Sequence, residues 1–245
     1  MHPLTRGFLR NYRQLAMIAS LILATGLCVG ILGLRIAHSD NFAHLGLLWN
    51  LFLAWLPALC SLAAYNLYKK RSAVSWVLIG VCALIWLLFF PNAPYLLTDV
   101  VHLQPLGDAP LWYDLILIVA FAWTGSFLDL ISLLLMQALV RKMAGPLVSW
   151  IFALGVLSIS GFEIYLGRFL GWNSWDVFVH PMRIVLDMVE RLRHPLANFQ
   201  TYVFSILFSL FFICAYLMLA SVTQFQGELQ VSGQPASPTP KTPLM

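Results

Sequence analysis

Acidic residues and histidines recur at helical spacing in two segments of this sequence. Asp99 and His102 are three residues apart, and Asp176 and His180 are four residues apart. Either spacing places both side chains on one face of a helix. Carboxylates and imidazoles held together can bind a metal ion or act as general acid and base. The sequence contains no HExxH, nucleophile-elbow or P-loop motif, so we predict a polar site and assign it neither a metal nor a reaction.

Arg168 precedes the second of these segments by eight residues. An ion pair with Asp99 or Asp176 would tie two loops together, whereas a bidentate contact would hold a phosphate or a carboxylate. Both interpretations stay open on the sequence. Asp114 opens an apolar run, where a carboxylate also favours the helix dipole. The candidate site consists of Asn92, Tyr95, Thr98, Asp99, His102, Asp114, Arg168, Asn173, Trp175 and Asp176.

Three further polar residues lie inside apolar runs: Asn50, Asp129 and Glu163. An ionisable group within a membrane span is costly and marks function by default. Asp129 is the strongest case. It has two structural alternatives, which are a protonated carboxyl bonded to Ser126 or Ser132, and a position near the cytoplasmic interface at the end of a long helix.

The elements that must position these residues are membrane helices. The sequence is 60% hydrophobic and 10% charged, against about 25% charged residues in soluble domains. A span needs roughly 20 mainly apolar residues. Six runs qualify, so the predicted fold is all-α, a polytopic membrane helix bundle. The predicted spans are 14–34, 45–65, 73–90, 112–140, 146–166 and 199–221.

Two other segments complete the predicted organisation. From Pro181 the apolar residues recur with helical spacing and charged residues fill the gaps, which predicts one amphipathic helix in the membrane interface. Residues 222–245 lack an apolar face and end in a Pro- and Ser-rich stretch, which predicts a disordered cytoplasmic tail after a bundle over residues 1–221.

Lysines and arginines indicate the orientation. Nine of the 14 lie in the N-terminal segment, the second-to-third loop, the fourth-to-fifth loop and the tail. Cytoplasmic loops carry the excess of these residues, so both termini are predicted to be cytoplasmic. Segments 91–114 and 163–180 then share the outer face. The basic residues stand in short clusters between apolar runs, a pattern that indicates a lipid bilayer as partner and no nucleic acid.

Several sequence blocks carry a resemblance when they are read together. They are FPNAPY with TD at 90–99, WYD at 112–114, YLGRF at 165–169 and WNSWD at 172–176. In these blocks the chain resembles a family of bacterial multi-pass membrane proteins known only as a domain of unknown function. The resemblance covers roughly residues 50–176. It implies a bacterial cell (inner) membrane protein and brings no activity or cofactor with it.

Three classes of function remain on the sequence. A membrane-embedded enzyme would gather its polar groups at the outer face, which is the interpretation we favour. A carrier for a small solute or ion would place Asp129 and Glu163 along a path. A non-catalytic partner of another membrane protein would need no polar cluster. The interruption at Pro91 and Pro94 has no second copy in the chain, whereas carriers often repeat such breaks.

Overall fold

The computed structural model describes residues 3–39, 42, 44–91, 96–98, 110–172, 176–194 and 197–232. These residues form helices joined by turns, and no strand occurs among them. The predicted all-α fold is therefore confirmed. The helices are α1 (Pro3–Ser39), α2 (Gly46–Leu67), a 3-10 turn (Tyr68–Lys70), α3 (Ala73–Phe89), α4 (Leu111–Ala144), α5 (Pro146–Leu170), α6 (Asp176–Val179), α7 (Pro181–Arg193) and α8 (Phe199–Ser232).

In the described part of the chain, five helices are long and apolar enough to cross a membrane. They lie within α1, α2 with its 3-10 turn, α4, α5 and α8. The third predicted span, α3, is apolar but has only 17 residues. It stops at Phe90 and Pro91, because proline lacks an N–H and restricts the residue before it.

Helix α4 lies at the centre of the bundle. Its buried residues belong to both hydrophobic clusters, one shared with α1 and α2 and the other with α3, α5 and α8. The indole of Trp86 on α3 donates to the Ser132 hydroxyl of α4 at 3.0 Å. Ile116, Val119 and Trp123 of α4 stay exposed. Apolar residues therefore occur both on its buried sides and on its exposed side, which explains why no single apolar face is visible in its sequence.

Contacts at both ends of α4 fix the direction of its neighbours. Arg35 near the end of α1 contacts Asp114 at the start of α4, and Cys28 lies beside Thr124, so α1 and α4 are antiparallel. Lys142 at the far end of α4 donates to the Tyr65 hydroxyl of α2 at 3.0 Å. We name the two ends of the bundle the Asp114 end and the Lys142 end.

Helix α8 packs antiparallel to α5. The carbonyl of Ser158 accepts from the Ser209 hydroxyl at 3.1 Å, and the Tyr165 ring lies 6.0 Å from the Phe204 ring. Helix α8 continues to Ser232, eleven residues past the predicted boundary at residue 221. The residues after the apolar run contain no proline and include Gln224, Gln226, Glu228, Leu229 and Gln230, which favour a helix. The helix therefore extends into the segment predicted to be a disordered tail. Residues 233–245 lie outside the described part of the chain.

Candidate functional site

Asp114 is held in a buried ion pair with Arg35. Arg35 Nε donates to Oδ1 at 2.7 Å, and its Nη2 donates to Oδ2 at 3.0 Å. Both side chains are 1% exposed. His44 Nε2 lies 3.5 Å from the same carboxylate. Two parallel N–H···O bonds are the geometry that a guanidinium and a carboxylate prefer, so Arg35 fixes the start of α4 against α1.

Local hydrogen bonds hold Arg35 in this position. Its Nη1 donates to the Ser39 hydroxyl at 2.6 Å, and that hydroxyl donates to the Arg35 carbonyl at 2.9 Å, near the end of α1. Beside the pair, the Tyr113 hydroxyl donates to the Ile31 carbonyl at 2.8 Å. The carboxylate therefore has a structural partner, and the interpretation of Asp114 as a helix-dipole residue alone was incomplete.

Arg168 joins the end of α5 to the segment that follows α3. Its Nη2 donates to the Thr98 backbone carbonyl at 2.6 Å, across 70 residues of sequence. Thr98 is buried and Arg168 is half-buried. This contact brings together one described residue from each of the two segments that were expected to share a face. A salt bridge from Arg168 to Asp99 or Asp176 stays a prediction.

Six candidate residues fall outside the part of the chain that the structure describes: Asn92, Tyr95, Asp99, His102, Asn173 and Trp175. Asp176 is described, and it opens the short helix α6 with its side chain partly exposed. His180 directly follows α6 and is exposed. The described members of the candidate set are thus Thr98, Asp114, Arg168 and Asp176.

Helix α7 is fastened at the same end of the bundle. Trp172 donates its indole N–H to Asp187 Oδ2 at 2.8 Å, and the Tyr202 hydroxyl of α8 donates to the Arg191 carbonyl at 3.0 Å. Arg191 Nη1 donates to the Asp187 carbonyl at 2.8 Å. Asp187 thus bonds to the tryptophan that follows α5, which holds this side of α7 against the bundle.

Asp129 lies deep inside the bundle. Its side chain is 1% exposed, and neither carboxyl oxygen has a hydrogen-bond partner among the described residues. Ser132 donates to the main-chain carbonyl of Asp129 at 2.8 Å and not to its carboxyl. The Ser126 hydroxyl is buried and also unpartnered within the described chain. The proposed structural bonding to these serines is therefore wrong.

The other two intramembrane candidates occupy different surroundings. Glu163 is exposed on the outer surface of α5, and Asn50 is partly exposed on α2. Because Asp129 is enclosed and Glu163 is not, the structure does not bring these two carboxyls together.

Two features of the Asp114 end were missed from the sequence. Arg35 was not singled out from the sequence. It is the only lysine, arginine, aspartate or glutamate between Arg13 and Asp40, and this isolation was the available signal. Thr201 and Ser205 of α8 carry buried hydroxyls without a partner in the described residues. Their four-residue spacing puts them on one face of α8, which was the available signal.

Comparison with known families finds one match. A family model described as protein of unknown function (DUF1361) matches residues 49–215, more than half of the chain. No curated protein and no solved structure matches.

Proposed function

We propose the following function for this chain, which belongs to the family of proteins of unknown function DUF1361. We infer that it is a multi-pass protein of a bacterial cell membrane, with its working site at the Asp114 end of the bundle. The site is formed by segments 91–114 and 163–180, and it is of the kind that membrane-embedded enzymes use. The observation that supports it is the contact between Arg168 and the Thr98 carbonyl.

That contact supports a site because it concerns an interrupted helix. Where α3 ends at Pro91, backbone groups at membrane depth must be satisfied by protein or by water. Arg168 supplies one such partner at 2.6 Å. A guanidinium has five N–H donors and can engage several acceptors at once. A phosphate or a carboxylate of a substrate is the chemistry that suits it.

Asp114 has a different role in this proposal. Its carboxylate is occupied by Arg35 and is buried. It positions α1 against α4 below the site and does not touch the ligand. The residues proposed to face the ligand are the remaining members of the candidate set, with Arg168 at their centre.

The proposed membrane arrangement has six crossings. Helix α3 has 17 residues, about 26 Å of helix, which is slightly less than a hydrocarbon core of about 30 Å. Helix α7 lies in the interface at the Asp114 end. Lysines and arginines of the Lys142 end face the cytoplasm, so the site faces outward.

The carrier interpretation has less support. It required Asp129 and Glu163 along one path, and Glu163 lies on the exposed surface of α5. The interpretation as a non-catalytic partner of another membrane protein is not supported by the contact of Arg168 with Thr98. An outer-face site therefore accounts best for the described polar residues.

The test uses purified protein in lipid nanodiscs. Thermal unfolding is followed with added inorganic phosphate or acetate, which stand in for the two anion types. We expect at least one anion to raise the melting temperature of the wild type, because a ligand that binds the folded state stabilises it. Arg168→Lys, which keeps the charge and loses the planar donor geometry, should weaken the shift, and Arg168→Ala should remove it.

The matched control is Arg183→Ala, which removes an exposed arginine at the same end of the bundle. It should keep the full shift. If neither anion moves the wild-type melting temperature while Arg168→Ala lowers it, Arg168 is a structural clamp and the site proposal is wrong.

A further inference from the structure

Helix α4 carries two buried aspartates with opposite surroundings. Asp114 receives two hydrogen bonds from Arg35. Asp129 receives none at its carboxyl from any described residue, although it is equally buried. The Asp114 carboxylate is thus neutralised by a guanidinium, whereas Asp129 has no compensating charge bonded to it among the described residues.

The depth of Asp129 makes this contrast sharper. It follows Asp114 by fifteen residues and precedes Lys142 by thirteen. At 1.5 Å per residue it lies about 22 Å from the first and about 20 Å from the second along the helix. Its neighbours Leu128 and Leu133 are completely buried. Asp129 therefore lies near the middle of the bilayer in an apolar interior.

An unpaired carboxylate in such a place costs several kcal/mol. The fold can hold Asp129 easily only as the neutral acid. A neutral carboxylic acid without a hydrogen bond stabilises the packed interior no better than leucine or asparagine would at the same position. A buried polar group without a hydrogen-bond partner requires an explanation. For a carboxyl group inside a membrane span, the usual explanation is a functional role.

One polar group is placed to respond to ionisation of Asp129. Ser126 is one turn earlier on the same face of α4, and its hydroxyl is buried without a partner in the described chain. Ser132, one turn later, is already engaged by the Trp86 indole and by the Asp129 main-chain carbonyl. Of these two serines, Ser126 is therefore the one whose hydroxyl is available to the carboxylate.

Among the described residues, no other titratable group of the packed helices bonds to Asp129. Tyr65 lies beside Lys142, Cys28 beside Thr124, and Tyr216 donates to Gln137 at 2.5 Å. Cys60 and Cys82 face each other between α2 and α3. Glu163 is on the outer surface of α5. The charge of Asp129 is thus set by its own proton.

We propose that Asp129 is a reversible proton-binding site at the centre of the bundle, with Ser126 as the donor that stabilises its ionised form. The step is a simple one: the carboxylate takes up one proton to become the acid and releases it again, with no change of oxidation state. The proposal does not depend on the outer site, because Asp129 is remote from it and the two share no described contact.

Infrared spectroscopy tests the proposal directly. The purified protein is placed in bilayers of phosphatidylcholine and phosphatidylglycerol, and spectra are recorded through a titration from acid to alkaline pH. We expect a carboxylic-acid C=O band in the wild type that is absent from Asp129→Asn and disappears reversibly as the pH rises. Labelling of aspartate side chains with heavy carbon should shift this band, which separates it from Glu163.

Two further variants complete the design. Ser126→Ala should move the loss of the band to higher pH, because the ionised form loses its donor. The leucine of Asp129→Leu is compatible with the apolar interior, so this variant should have a melting temperature no lower than that of the wild type. It replaces Asp129→Asn as the band-free reference if Asp129→Asn does not fold. Glu163→Gln is the control and should leave the band unchanged.

Three results would overturn the proposal. The first is an acid band that persists unchanged at every pH, which makes Asp129 permanently neutral. The second is a wild-type spectrum with no aspartic-acid band at any pH. The third is a large loss of melting temperature in both Asp129 variants, which would show that the side chain makes stabilising contacts.

Discussion

Arg35 and Asp114 are 79 residues apart in the chain and form a two-bond ion pair that is buried at one end of the bundle. The pair connects the end of α1 to the start of α4. Asp114 belongs to the matched family region and Arg35 precedes it, since the match begins at residue 49. The first helix is therefore bonded to the family domain through its last charged side chain.

Breaking this pair should destabilise the protein strongly. Replacement of one partner, as in Arg35→Met or Asp114→Leu, leaves the other charge buried and uncompensated, at a cost of about 3–5 kcal/mol. The double variant Arg35→Met/Asp114→Leu should recover most of that loss, because both charges are then removed. Thermal or denaturant unfolding of the four proteins in one detergent measures the coupling.

The control for the pair is Arg183→Met, which removes an exposed arginine of α7 at the same end. Its effect should stay within about 0.5 kcal/mol. Additive losses in the double variant would contradict the pairing.

Composition and periodicity predicted the helices well because each apolar run must satisfy its own backbone hydrogen bonds in lipid. The start of α3 at residue 73 and that of α5 at residue 146 agree with the prediction. The extent of α8 did not, because polar residues that favour a helix continue past the apolar run.

The site was harder to predict because partners are chosen by tertiary packing. Nothing in the spacing of Arg35 and Asp114 indicates that they meet, since they lie on different helices. Asp129 was recognised from its position alone, but its lack of a partner could not be predicted. The sequence instead suggested two serines within one turn that could have bonded to it, and in the structure neither serine hydroxyl bonds to the Asp129 carboxyl.

Gly161 is predicted to be essential to the contact between α5 and α8. A Cβ atom at this position would overlap the Ser209 hydroxyl and lie 2.5 Å from the Ser205 carbonyl oxygen. The backbone of α8 would have to move, so Gly161→Ala should cost about 1–3 kcal/mol. Thermal unfolding of the purified variant checks the value.

Gly155 provides the matched control on the same helix. A Cβ atom there meets nothing within 4 Å, and alanine is the better helix former by up to about 1 kcal/mol. Gly155→Ala should therefore be neutral or stabilising. Equal effects of the two substitutions would show that helix α8 does not approach α5 as closely as described.

Helix α7 is predicted to lie with its apolar side in the bilayer interface. Met182, Val185 and Leu186 are 69%, 51% and 59% exposed, while Ile184 and Asp187 are turned toward the bundle. A helix that hides its polar contacts and exposes its apolar residues suits the boundary between headgroups and acyl chains.

Fluorescence at two single cysteines tests this placement in vesicles of phosphatidylcholine and phosphatidylglycerol. The native cysteines are first replaced, and an environment-sensitive label is attached to Val185→Cys or, as control, to Arg183→Cys, which lies two residues earlier on the charged side of the helix. We expect blue-shifted emission and quenching by a nitroxide lipid at residue 185 only. Equal quenching at both positions, or at neither, would contradict the interfacial placement.

The last prediction is the orientation of the bundle in the membrane. The Lys142 end gathers Lys69, Lys70 and Arg71 after α2 and Arg141 and Lys142 at the end of α4. No lysine or arginine occurs in the sequence between Arg71 and Arg141. Because positively charged loops stay in the cytoplasm, reporter fusions after Lys70, Arg141 and Thr239 should all report the cytoplasm.

A fusion near Gly107 should report the outside, since helix α4, which follows it in the sequence, begins at the opposite end of the bundle from Lys142. The buried pair of Arg35 with Asp114 strengthens this expectation, because an arginine neutralised by a carboxylate no longer counts as a free loop cation. The balance of charges then favours the Lys142 end more clearly than the raw sequence does. A cytoplasmic signal at Gly107 would reverse the bundle and place the Arg168 contact on the cytoplasmic side.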